Sequence, residues 1–184
     1  DDDGNPIPQE QDLNQTGRAL EYYVFHDGAW NLIGTGTTDE FGTAPIIYVP
    51  WLPSGTYPMK VAFHGDEYYN GESVEDVLTI QKEYTEVTME DAYKIQNTDA
   101  ITFTSGLFDD EKNSIPQDED PIQEGRSISF YIFKNQHWDL IGQSEVDLTG
   151  LAQIQTSFLL PQGVYPLKFS FSGDDYYLPT ESVG

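Results

Sequence analysis

From Tyr165 onward, apolar Tyr165, Leu167, Phe169 and Phe171 alternate with Pro166, Lys168, Ser170 and Ser172. Side chains on an extended backbone point to opposite faces in turn, so this period of two predicts a strand with one buried and one wetter face. Tyr57, Met59, Val61 and Phe63 alternate in the same way with Pro58, Lys60, Ala62 and His64. So do Ala152, Ile154, Thr156 and Phe158 with Gln153, Gln155 and Ser157. The runs RALEYYVF (18–25) and RSISFYIF (126–133) are apolar on both faces near their ends, as central strands are, and AITFTSGLF (100–108) adds another strand. Turn signals such as LPSG, LPQG, HGD and SGD separate these runs, and no window carries a helical stripe of useful length. The pattern predicts an all-β chain.

The alternation occurs twice because the sequence does. Sliding the chain by 108 residues sets Asp1–Asp76 against Asp109–Gly184 with 31 identities in 76 gapless pairs. Shared motifs are IPQ (from Ile7 and Ile115), GR (Gly17-Arg18, Gly125-Arg126) and W-x-LIG (from Trp30 and Trp138). LP-x-G-x-YP (from Leu52 and Leu160) and F-x-GD-x-YY (from Phe63 and Phe171) follow, and a one-residue slip then restores ESV. A period near 100 residues matches one β-sandwich module. In the second copy, strands are expected near Tyr84–Met89, Ala100–Phe108, Arg126–Lys134, Trp138–Val146, Leu151–Phe158 and Tyr165–Phe171, with a last one after Val183.

The sequence GVYPLKFSFSGDDYY followed by ES resembles the closing signature of bacterial and archaeal immunoglobulin-like repeat domains, and YTEVTM resembles their first strand. The resemblance covers nearly the whole chain and implies two tandem antiparallel β-sandwiches, residues 1–83 and 84–184, on a prokaryotic cell surface. The acidic loop Asp109–Glu124, echoed by Asp1–Thr16, departs from that pattern. The register has a consequence: Asp1 aligns with Asp109, just after the second expected strand, so the first copy lacks its N-terminal strands and the second its last. Either the chain is a stretch of a longer array, or another chain donates the missing strands. VLTIQKEYTEVTM joins the copies without Gly or Pro, which predicts a stiff junction.

Charge narrows the partners. The chain carries 32 Asp and Glu against 8 Lys and Arg, a net charge of -24. Such a surface repels nucleic acid and anionic lipid and attracts cations. The 25 aromatic residues (3 Trp, 12 Tyr, 10 Phe) set the chain apart from the aromatic-poor composition of disorder. With no cysteine there is neither a disulfide framework nor a thiol nucleophile. His26, His64 and His137 do not align with one another and lie in no nucleophile motif, so the expectation is a non-enzymatic protein.

Crowded carboxylates at Asp109, Asp110, Glu111, Asp118 and Asp120 supply the oxygen ligands that Ca²⁺ takes, although no EF-hand spacing occurs; the competing reading is a solvated acidic surface. Trp51, unmatched in the second copy, is the candidate for stacking on a sugar. Asn14 heads the glycosylation triplet Asn14-Gln15-Thr16. Arg18 and Arg126, the two arginines, occupy matching places and predict structural pairing with carboxylates. The GD turns and paired tyrosines, and Trp30 and Trp138, are read as structural. Together these point to a structural or adhesive segment of an extracellular surface or filament protein, partnered by neighbouring copies of itself. The alternative is a carbohydrate- or protein-binding module of a secreted enzyme or adhesin.

Overall fold

The computed structural model describes residues 1, 3, 5–7, 17–49, 52–90, 100–115, 125–157 and 159–184. They form eleven strands and no helix, as the alternation predicted. The chain divides into two compact units, Asp1–Gln81 and Lys82–Gly184. The division falls just before Glu83, whose amide and carbonyl bond to Tyr176 and Leu178 of the second unit.

Unit 2 is a seven-stranded antiparallel sandwich. Its strands are β5 (Thr85–Val87), β6 (Ile101–Asp109), β7 (Ser127–Lys134), β8 (His137–Glu145), β9 (Leu151–Thr156), β10 (Leu167–Phe171) and β11 (Thr180–Val183). One sheet has the order β11-β10-β7-β8 and the other β5-β6-β9. Between them lies a core built from the alternating positions: Val87, Ile101, Phe103 and Leu107 from one sheet meet Ile128, Phe130, Phe169 and Phe171 from the other. Phe169 joins the two layers, its ring centroid 4.7 Å from Phe130 and 6.2 Å from Phe103. The last strand, expected beyond Val183, starts earlier, at Thr180. Once the SGDDYY turn has reversed the chain, Thr180–Val183 pairs with Phe171–Lys168, so the second copy holds a final strand.

Unit 1 forms a single four-stranded sheet, order β2-β1-β3-β4, from β1 (Ala19–His26), β2 (Ala29–Thr37), β3 (Gly55–Gly65) and β4 (Asn70–Ile80). These are the counterparts of β7, β8, β10 and β11. No second sheet occurs among the described residues of this unit. Residues 43–49, opposite β9 in the alignment, run without strand pairing. The loss shows in burial. Ile128, Phe130 and Phe169 are 0 % exposed, while their counterparts Leu20, Tyr22 and Val61 are only half-buried.

Two irregularities recur at the same place in both sheets. The β1–β2 hairpin turns on Asp27-Gly28 with φ of 53° and 76°, and the β7–β8 hairpin on Asn135-Gln136 with φ of 50° and 67°. Positive φ at both central residues marks the two-residue turn whose twist matches that of paired strands. One register shift falls between Tyr22 and Tyr23 and another between Phe130 and Tyr131, leaving Ile33 and Ile141 as the extra residue of a β-bulge.

Candidate functional site

Residues identical in the two copies are the first place to look for a repeated site, and several of the shared motifs serve the fold. In F-x-GD-x-YY, Gly65 and Gly173 take φ of 86° and 78°, which only glycine adopts cheaply. The next residue then caps the turn. Asp66 Oδ1 accepts from the amides of Tyr68 and Tyr69, and Asp174 Oδ1 from those of Tyr176 and Tyr177, all at 2.8 Å. The other carboxylate oxygen takes the arginine: Arg18 Nε–Asp66 Oδ2 and Arg126 Nε–Asp174 Oδ2 are both 2.7 Å. The guanidinium carbons stand 5.0 Å and 4.8 Å from the ring centroids of Tyr69 and Tyr177. A guanidinium with 1 % of its side chain exposed, as in Arg126, is tolerable only when paired and hydrogen-bonded. Burial pushes the Asp66 carboxyl upward, but the Tyr68 amide, the Arg18 guanidinium and the Tyr69 amide together hold it below the usual range.

In LP-x-G-x-YP the tyrosine hydroxyl reaches back four residues. Tyr57 donates to the Pro53 carbonyl at 2.8 Å and Tyr165 to that of Pro161 at 2.9 Å. This upstream tyrosine bond is a hallmark of immunoglobulin-type sandwiches. In W-x-LIG the isoleucine is the bulge, and the glycine leaves room for a facing side chain. A Cβ at Gly34 would stand 3.1 Å from Ile46 Cδ1, and one at Gly142 3.0 Å from Ile154 Cδ1. Trp30 packs on Phe25 and Trp138 on Phe133, with Lys60 Nζ 4.6 Å and Lys168 Nζ 5.3 Å from the indole centroids. The lysines come from the facing strand, Lys60 opposite Tyr23 and Lys168 opposite Tyr131.

Acidic groups outside these motifs are the remaining candidates. Asp109 and Glu111, two of the predicted metal ligands, come together with Glu83, which sequence spacing did not single out; one oxygen from each lies within 4.8 Å of the others. The pairing of Thr85 with Asp109 brings Glu83 there. Burial, then the charges of Asp109, Glu111 and Asp110, push the Glu83 carboxyl up. Three convergent carboxylates can offer oxygens to a hard cation or relieve their repulsion by holding a proton. Asp109 also has local work: it accepts from the Asn113 amide at 2.7 Å and side chain at 2.8 Å, as Asp1 does from Asn5 at 2.8 Å and 3.2 Å. Asp110 is exposed beside this group. Asp118, Asp120, Trp51 and Asn14 lie outside the described residues.

Unit 2 also has an open cleft of about 340 Å³ lined by Ile132, Lys134, Asp139, Leu140, Ile141, Thr156 and Leu160. Its charged groups are engaged with one another: Lys134 lies 2.9 Å and His137 2.6 Å from Asp139. The bond from Lys134, then the charge of His137, holds the Asp139 carboxyl below its usual range. Unit 1 has His26 and Asn31 in place of Lys134 and Asp139, so the ion pair is not repeated. No helix among the described residues is long and apolar enough to cross a membrane.

No family model matches this chain, and no curated protein does. Among solved structures, a tetra-tandem repeat from the extending region of a large adhesion protein aligns over 92 % of this chain and 42 % of its own length, at 11 % identity and a TM-score of 0.48. The β-glucuronidase of Parabacteroides merdae aligns over 91 % of this chain and 21 % of its own, at 11 % identity and a TM-score of 0.29. The chain thus spans less than half of either protein. Superpositions this loose, at about one identical residue in nine, leave the architecture to be read from the strands themselves.

Proposed function

We propose that this chain is a non-enzymatic structural or adhesive segment of an extracellular surface or filament protein. In this reading its immunoglobulin-like modules work in series and find partners in neighbouring copies of the same repeat. The observation that carries it is the fate of the residues shared by the two copies. Arginine, aspartate, tyrosines, bulge and glycines go into the clamp, the corner and the strand turns of each unit. In both units the shared arginine, aspartate and tyrosine side chains are committed to the clamp and the corner, while shared Leu32 and Leu140 stay exposed. The acidic surface fits a role in which modules stay soluble at close quarters, since like charge opposes non-specific association. A cation would be drawn first to Glu83, Asp109 and Glu111, and the reading does not depend on one.

Antibodies raised against the chain test the location. Labelling of intact, unpermeabilised source cells, or of filaments shed from them, is the expected result. Labelling that appears only after permeabilisation contradicts the proposal.

A further inference from the structure

We propose that the open face of the unit 1 sheet receives an extended strand pair of the β5–β6 kind, supplied by another copy of this repeat. The inference rests on the tandem-module reading above and adds the segment and its register. Unit 2 shows what such a sheet carries when complete: Val87, Ile101, Phe103 and Leu107 close over Ile128, Phe130, Phe169 and Phe171. The same layer in unit 1 is Leu20, Tyr22, Val61 and Phe63, all left half-buried. Phe171 and Phe63 within this layer are the same residue in the two units, and so are Ala152 and Ala44, and Ile154 and Ile46, in the segment beside the covering strands. The sheet therefore keeps the surface that β5 and β6 cover.

The receiving edge is residues 43–49. Ile46 stands against Gly34 as Ile154 stands against Gly142, so this segment already lies where β9 lies in unit 2. In unit 2 the segment is a strand because β6 bonds to it, with Phe103 opposite Ile154 and Ser105 opposite Ala152. Shifted by 108, a Phe103-like residue falls opposite Ile46 and a Ser105-like residue opposite Ala44.

The one residue that looks unfit for a strand supports this register. The amide of Leu107 bonds the carbonyl of Gly150, which fixes the phase of the ladder: residues 152 and 154 turn their backbone groups toward β6, and residue 153 turns its own away. Unit 1 has Pro45 at the place of Gln153. A residue without an N–H thus sits at a position that would give none to the incoming strand, where proline is tolerated. The carbonyl of Ala44, which should face that strand, accepts instead from the Tyr22 hydroxyl, and unit 2 has Phe130 at the matching place.

The test joins a copy of residues 82–108 directly ahead of Asp1, which reproduces the continuity of Phe108 with Asp109. Binding of an apolar fluorescent dye is followed in the original and extended chains. The expected result is a several-fold fall in dye fluorescence in a chain that stays monomeric, reversed when the added copy carries Phe103→Asp. The free peptide added to the original chain at about 0.5 M salt, where like charges are screened within a few ångströms, is expected to lower the signal as well. Unchanged dye binding in an extended chain whose unit 2 still unfolds normally overturns the inference. So does an original chain that is dimeric and already dark to the dye, which makes a second copy of the sheet the occupant. The surface proposal fails separately: cells labelled only after permeabilisation would leave a closing extension intact.

Discussion

At the scale of single residues, the same side-chain types serve opposite purposes according to what stands nearby. Asp66 and Asp174 face an arginine and backbone amides, and they bind the fold together. Glu83 is partly desolvated and faces Asp109, Glu111 and Asp110, so its ionised form works against the fold at neutral pH. The sign follows from its raised carboxyl. A folded state that holds a proton more tightly than the unfolded chain is stabilised below the ordinary glutamate value near 4.5, and that contribution is lost as pH rises through the raised value. Glu83→Gln keeps the shape and removes the charge. Its Tm for unit 2 is expected to exceed that of the parent at pH 7 and to match it near pH 4; a variant less stable than the parent at pH 7 contradicts this account of desolvation and repulsion. The Arg–Asp pairing was legible because two arginines fall at matching places in an acidic chain. The Glu83 contact was not. It arises from the register of β5 on β6, which sets Thr85 opposite Asp109 across 24 residues of sequence.

At the scale of strands, period-two alternation located the elements well, and its failures have identifiable causes. The strand beginning at Trp138 was legible, but W-x-LIG breaks the alternation because a bulge puts one extra residue into the edge strand. Alternation also cannot say whether an apolar face will be covered. The first copy reads as the second does, yet Phe130 is 0 % exposed and Tyr22 is half-buried. The difference lies in β5 and β6, which cover this face in unit 2 and have no counterpart among the described residues of unit 1. This has an energetic consequence. Phe130→Ala removes a ring from a closed core and is expected to lower stability by about 3–5 kcal/mol, as buried phenylalanines do. Tyr22→Ala, at the same place in an open sheet, is expected to cost a fraction of that. Urea unfolding of each variant checks the pair, and equal losses would mean that unit 1 is as closed as unit 2.

At the scale of the whole molecule, one repeat occurs twice, and among the described residues two layers are seen in the second copy. The architecture was readable from the 31 shared residues, because those residues make the turns, bulge, corner and clamp that both units display. What the modules bind was not readable, since the candidates lie on an acidic surface where nearness of carboxylates means little.

The most direct measurement is native-state hydrogen exchange on the unextended chain, resolved by segment. Local opening is easiest where few apolar contacts cover a backbone ladder. The prediction is that amides of Tyr22–Val24 and Met59–Val61 exchange at least tenfold faster than those of Phe130–Ile132 and Leu167–Phe169. Equal protection in the two sets would contradict the view that the first copy stands open.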